Sequence, residues 1–212
     1  MVNNLSSRED ILKELFNISV GKSASILSEI VSKKIILNVP DVKILDSQIE
    51  SGHINRHLSN IVEGALMISS ISFKENLTGK ANLIFPADRM RKFINLCSDE
   101  NGVVNDGSLD FNDIDFDIIK EIGNIILNSI IGEIGNFIDV KLEYTLPEVR
   151  VLDKLRIDNL FYDTGYEFIL ILSITFKIED SEIIGAVLIN LTLNSLDEII
   201  SRTYQMEEEL NK

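Results

Sequence analysis

The sequence predicts an α/β protein of the α+β type: two pseudo-symmetric repeats of helix-strand-strand-strand-helix that share a largely antiparallel sheet flanked by long helices. Three observations predict it. Asp10-Ile-Leu-Lys-Glu14-Leu-Phe-Asn17 is followed after 22 intervening residues by Pro40, and Asp117-Ile-Ile-Lys-Glu121-Ile-Gly-Asn124 is followed at the same interval by Pro147, an offset of 107 residues. Gly79 and Gly185, and Asp88 and Asn194, recur at an offset of 106. Between these markers the order of helical and β-rich stretches also repeats. One such four-position match turns up in roughly one chain in several hundred at ordinary residue frequencies, and two with identical spacing mark a duplicated unit.

In chain order, Ser6 or Ser7 fits an N-cap, with Glu9 and Asp10 in the first turn where the helix dipole favours acid. The helical pattern runs to about Ser32, and Lys33-Lys34 suits its end. Gly21 lies inside it, which asks for close packing or a bend. Ile35 to Leu45 reads as a strand whose Pro40 implies an edge position or a bulge. A polar stretch from Asp46 to Ser59 holds room for a short helix. Ile61 to Phe73 and Ala81 to Phe85 form a hairpin around the turn Glu75-Asn-Leu-Thr-Gly79. Asp88 fits the cap of a helix to about Cys97, with Met90, Phe93, Ile94 and Cys97 on one face. Residues 1–98 form the first repeat, 99–108 a Gly/Asn/Asp-rich linker and 109–212 the second repeat, together one compact domain. The second repeat has a helix from about Asp113 to Gly135, a strand carrying Pro147, β-rich runs Glu167 to Ile178 and Ile183 to Leu191, and a helix capped by Asn194 to about Gln205. Two such units, each with a sheet edge and an apolar face, can cover both by joining about a pseudo-two-fold axis.

Composition narrows the function. The chain has 212 residues, 45% of them hydrophobic, and a net charge of −14. Such an acidic chain is not drawn to phosphate backbones or anionic membrane surfaces, so nucleic acid and membrane insertion are excluded as partners. No apolar run reaches the roughly 18 residues of a transmembrane helix, and the N-terminus lacks the pattern of a secretory signal. The lone Cys97 forms no internal disulfide and fits a buried thiol in a reducing compartment, so a cytoplasmic protein is expected. His53 and His57 stand at i, i+4 but lack further ligands for zinc, and no phosphate loop or nucleophile elbow is present.

What remains is the repeated helix face. At about 100° per residue, Asp10, Glu14 and Asn17 project from one stripe while Ile11, Leu12, Leu15 and Phe16 face inward. Asp117, Glu121 and Asn124 repeat the stripe, Asn128 extends it, and Ile118, Ile119, Ile122 and Ile126 face inward. A solvated surface would explain one copy. Asn is a poor residue for a helix interior, so two at matching positions call for a use. An amide both donates and accepts hydrogen bonds and can orient a water; a carboxylate three residues earlier can pair with a partner's lysine. Neither is a strong nucleophile. The pair suits completion of another protein's active centre. Pro40 and Pro147 support the strand that follows.

The pattern [Asp or Ser]-x3-Glu-x2-Asn-x22-Pro resembles the signature of the CheC/CheX/FliY phosphatases of bacterial and archaeal chemotaxis, and Glu121-Ile-Gly-Asn124-Ile is especially typical of them. The two-copy members fit better than the single-copy ones. The resemblance implies hydrolysis of the aspartyl phosphate of a CheY-type response regulator. It implies Glu14 and Glu121 as contacts to the regulator's lysine, and Asn17 and Asn124 as the residues that position the attacking water. Asp10 and Asp117 are supporting contacts. No cofactor of the chain's own is implied; Mg²⁺ is expected on the regulator. CheD is a further possible partner, since family members bind it. The alternative is a non-catalytic adaptor that binds phosphorylated CheY or CheD. Phe16 stands where the second repeat has Gly123, and its bulk beside Asn17 would favour the second site for docking.

Overall fold

The computed structural model describes residues 2–46, 58, 64–97, 110–153 and 165–210. The linker at 99–108, the polar stretch with His53 and His57, and the side chain of Cys97 lie outside the described residues. The first helix, α1 (Val2–Val31), buries Leu12, Phe16, Val20, Ala24 and Leu27, a spacing of three or four that lines one face. Its backbone is already helical at Val2, so Ser6 and Ser7 stand within it and do not cap it. Gly21 is exposed with open space where a Cβ would be, so close packing is not what it serves.

Strand β1 (Ile35–Asp46) buries Ile35, Leu37 and Val39, then shifts phase and buries Val42 and Leu45. The shift falls at Pro40. The hairpin β2 (Ala65–Glu75) and β3 (Gly79–Pro86) follows, then α2 (Ala87–Cys97), which buries Met90, Phe93 and Ile94. The helix starts at Ala87, which places Asp88 in its first turn instead of at the cap. Helix α3 (Asp113–Phe137) has Asn112 as N-cap: its side chain accepts from the Asp115 N–H and the Asp115 carboxylate accepts from the Asn112 N–H, a capping box. Next come β4 (Leu142–Tyr144), β5 (Glu148–Asp153), the hairpin β6 (Phe168–Ile178) and β7 (Ser181–Leu191), and α4 (Leu193–Leu210). Thr192, not Asn194, caps α4: its Oγ1 accepts from the Ser195 N–H at 3.4 Å.

The strands form one seven-stranded antiparallel sheet in the order β1-β6-β7-β3-β2-β4, with β5 also on β2. The first strand of each repeat pairs with the hairpin of the other: β1 with β6, and β4 and β5 with β2. Matched element by element, the order reads the same from both ends. Gly79 opens β3 beside the hairpin turn whereas Gly185 lies inside β7, so the two glycines do not hold matching places; a Cβ on either would collide with an aromatic ring, Phe73 and Phe85 respectively. β1 is an edge strand and its pairing with β6 shifts register between Asn38 and Asp41, so both features expected of Pro40 are present.

The larger core lies between the sheet and the helices and draws on Phe16, Phe73, Phe93, Ile126, Ile130 and Phe176. A smaller apolar layer on the other sheet face contains Leu58, Leu66, Ile68, Ile84 and Leu188. Helices α1 and α3 are joined directly: Ser23 Oγ donates to the Ile125 carbonyl at 3.4 Å, and Lys22 pairs with Glu133 at 2.6 Å. At the start of α3, Arg91 from α2 binds the Asp115 carboxylate at 2.7 Å, donates to the Asp110 carbonyl and stacks on the Phe111 ring. This ties the two repeats together beside the second motif.

Candidate functional site

Both motif stripes lie where the helical period places them. Asp10 and Glu14 are exposed and Asn17 is half-buried; Asp117 and Glu121 are exposed and Asn124 is half-buried. The helix faces opposite them carry Leu12 and Phe16, and Ile119, Ile122 and Ile126, all buried.

The two asparagines differ in what they hold. Asn17 Nδ2 donates to the Lys13 carbonyl at 2.8 Å and to the Val39 carbonyl at 2.9 Å, and its Oδ1 accepts from the Val39 N–H at 2.8 Å. Both of its donor hydrogens are used. Val39 is the residue before Pro40, inside the irregular part of β1 that leaves the ladder to β6. The amide of Asn17 therefore satisfies backbone groups that the bulge has removed from the sheet. The interval of 22 residues between Asn and Pro thus has a physical reading in this repeat: it is the length of helix, turn and strand that returns the chain to the asparagine.

In the second repeat the equivalent clip is open. Asn124 Oδ1 accepts from Asn128 Nδ2 at 2.7 Å, and among the described residues its own Nδ2 has no partner. Leu146, the counterpart of Val39, is not bonded to it. The chain here leaves strand geometry between β4 and β5, and Thr145 anchors it to β2: its N–H donates to the Ser72 carbonyl at 2.9 Å and its Oγ1 accepts from the Ser72 N–H at 3.0 Å. The side chains on either side of the motif proline have also exchanged sides. Val39 is buried and Pro40 exposed, whereas Leu146 is 81% exposed and Pro147 is buried. A displacement of one residue in an extended segment has this effect.

Phe16 does not crowd Asn17. It is fully buried in the core, so the obstruction expected from its bulk is absent, and the two asparagines differ instead through the Val39 clip. Gly123 likewise opens no surface space. A Cβ there would strike Ser69 on β2, so the glycine serves the close approach of α3 to the sheet.

A second repeated element escaped the sequence reading. Pro40-Asp41-Val42-Lys43 and Pro147-Glu148-Val149-Arg150 recur at the same offset of 107, which was the available signal. Lys43 pairs with Glu9 at 3.0 Å and Asp41 at 3.6 Å, while Arg150 pairs with Glu148 at 2.7 Å and stays 65% exposed. The hydrogen bond to Glu9 holds the Lys43 ammonium above the usual lysine range, against the opposing effect of burial and with added help from Asp41. Where the first repeat has Glu9, the second has Phe116. Among the described residues there is no cluster of three or more His, Cys, Asp or Glu fit to hold a metal, and no helix is long and apolar enough to cross a membrane.

Comparison with known proteins agrees with the motif. Residues 8–44, which span the first copy from before Asp10 to beyond Pro40, match the CheC-like family. The chain is 27% identical over 150 residues to the CheY-P phosphatase CheC of Bacillus subtilis (strain 168), a stretch covering 67% of this chain and 65% of that protein's length. Its fold is similar to that of FliY from Thermotoga maritima, with a TM-score of 0.72, 16% identity, and coverage of 93% of this chain and 96% of that one. A chain of the FliG–FliM complex from H. pylori is similar over 90% of this chain and 97% of its own, with a TM-score of 0.62 and 13% identity. The first copy of the motif thus lies in a segment similar to the CheC-like family, and the fold is similar to that of FliY.

Proposed function

We propose that the protein is a phosphatase for the aspartyl phosphate of a CheY-type response regulator, and that Glu121 and Asn124 form its working site. The observation that carries this reading is the Asn124 Nδ2, which has no partner among the described residues, beside the exposed Glu121 on one helix face. In the proposed reaction a water oxygen attacks phosphorus, the bond from phosphorus to the aspartyl oxygen breaks, and the products are inorganic phosphate and the free aspartate. Asn124 orients the water through its carboxamide, and Glu121 pairs with a lysine of the regulator. Mg²⁺ belongs to the regulator and neutralises the phosphoryl oxygens there. The protein thus contributes position, not covalent chemistry, and correct placement of a nucleophile is worth orders of magnitude in rate. Asp117 is a supporting contact on the same stripe.

Glu14 and Asn17 form the corresponding first site, with Asp10 beside them. Asn17 reaches a regulator only when it releases the Lys13 and Val39 backbone, so the first site is latched in the resting protein.

The second reading is an adaptor that binds the phosphorylated regulator, or CheD, without hydrolysis. The fold shared with a chain of the FliG–FliM complex favours it, because the same architecture there belongs to a protein assembly. Phosphate release from the phosphorylated regulator, with this protein at one-twentieth of its concentration, separates the two. Turnover beyond one phosphate per molecule supports the phosphatase; unchanged phosphate lifetime with retained binding supports the adaptor.

A further inference from the structure

We infer that Ile114 and Leu146 are the apolar docking contacts that seat the phosphorylated regulator on the second site; this rests on the reading of Glu121 and Asn124 given above. These are the two most exposed large hydrophobic side chains among the described residues, at 70% and 81%. Both belong to the surroundings of the second motif. Ile114 lies in the first turn of α3, about 20° around the helix from Glu121 and about 60° from Asp117, so it extends the same stripe toward the helix N-terminus.

Leu146 flanks the stripe from the strand side. Leu142 packs near Gly135, and the Tyr144 hydroxyl lies 3.7 Å from where a Cβ on Gly132 would be. The strand thus runs back along α3 toward earlier turns of the helix. Ser69, which would be struck by a Cβ on Gly123, stands opposite Val149 in the pairing of β2 with β5. The segment between Tyr144 and Val149 therefore passes the turn that carries Asn124. The first repeat shows the same register, since Asn17 bonds directly to Val39, the counterpart of Leu146.

The first repeat lacks both contacts. Ser7 stands at the position of Ile114, and Val39 is 1% exposed. The apolar pair is confined to the repeat whose asparagine Nδ2 has no partner among the described residues. Charge gives a reason for it. A phosphorylated receiver site is anionic, this chain carries a net charge of −14, and general electrostatic attraction is not available to hold the two together. Short-range apolar contact on either side of the Glu and Asn is a source of affinity that this repulsion leaves intact.

The test is the dissociation constant of the cognate CheY-type regulator, carrying beryllofluoride as a stable phosphate mimic, for the full chain and for Ile114→Ser, Leu146→Ser and Ile30→Ser. Ile30 is 60% exposed on α1 and serves as the control. Binding about tenfold weaker for each of the first two, with Ile30→Ser within twofold of the parent, is the expected result. Equal affinity for all four proteins, or no binding by the parent chain, overturns the inference. Turnover of Asn124→Ala is measured alongside. If it is lost while the four affinities are equal, the phosphatase reading stands and the docking contacts fall. If it is retained, the phosphatase reading falls and the affinities still decide the docking contacts.

Discussion

The carboxamide of Asn17 and the backbone of Val39 exchange two hydrogen bonds, N–H to Oδ1 at 2.8 Å and Nδ2 to carbonyl at 2.9 Å, while Asn124 and Leu146 exchange none. The same sequence motif is therefore spent on structure in one repeat and left available in the other. This division leads to different consequences for the same substitution at the two positions.

Replacing Asn17 with Ala leaves the N–H and carbonyl of Val39 without partners at a bulge. Unmade hydrogen bonds of this kind cost about 1–3 kcal/mol. Asn17→Ala is expected to lower the unfolding free energy by about 2 kcal/mol, and Asn124→Ala by less than about 1 kcal/mol, since it loses one side-chain pairing. Urea denaturation of the two variants checks the order.

Gly123→Ala is expected to destabilise by about 1–3 kcal/mol, because its Cβ meets Ser69. Ser69→Gly removes the colliding atoms. The double variant should recover most of the loss, giving a coupling energy of about 1 kcal/mol or more in a double-mutant cycle.

Arg91 and Asp115 form a mostly buried ion pair, with side chains 15% and 8% exposed. Removing either partner strands the other, at a cost of about 3–5 kcal/mol for pairs of this kind. Asp115→Ala also breaks the capping box of α3. Thermal melts should show Arg91→Met and Asp115→Ala each lowering the midpoint, and the double variant losing less than the sum of the two.

Lys43 has its folded-state pKa raised above 10.5 by Glu9. A raised lysine contributes stability that is fully present below the unfolded value and lost as pH rises through the folded one. Stability should therefore fall above about pH 10.5 with a component that Lys43→Met removes; the screening expected for a half-exposed pair keeps that component small. Denaturation at pH 9 and pH 11.5 checks it.

The fold was legible because the main sequence signals occur twice. The strand with Pro40 at its edge and the burial of Met90, Phe93 and Ile94 follow from periodicity and proline chemistry alone. Helix starts were less legible. Ser6, Asp88 and Asn194 each have capping chemistry, yet the helices begin one or more residues earlier, because a polar residue is equally welcome in the first turn. The stripes of Asp, Glu and Asn were legible from the wheel. The relation between Asn17 and Val39 was not, since a hydrogen bond to backbone leaves no mark on the identity of residue 39. Nor did the sequence reveal that Val39 and Leu146 would face opposite ways. That depends on where each strand absorbs its extra residue, which Thr145 and Ser72 determine in the second repeat.

The lifetime of the aspartyl phosphate on the cognate regulator, followed with catalytic amounts of Asn124→Ala and of Asn17→Ala, tests the role given to Asn124 in hydrolysis. That role predicts that Asn124→Ala loses about a hundredfold in stimulated hydrolysis while keeping its fold, and that folded Asn17→Ala stays near the parent rate. Full stimulated activity in Asn124→Ala would contradict it.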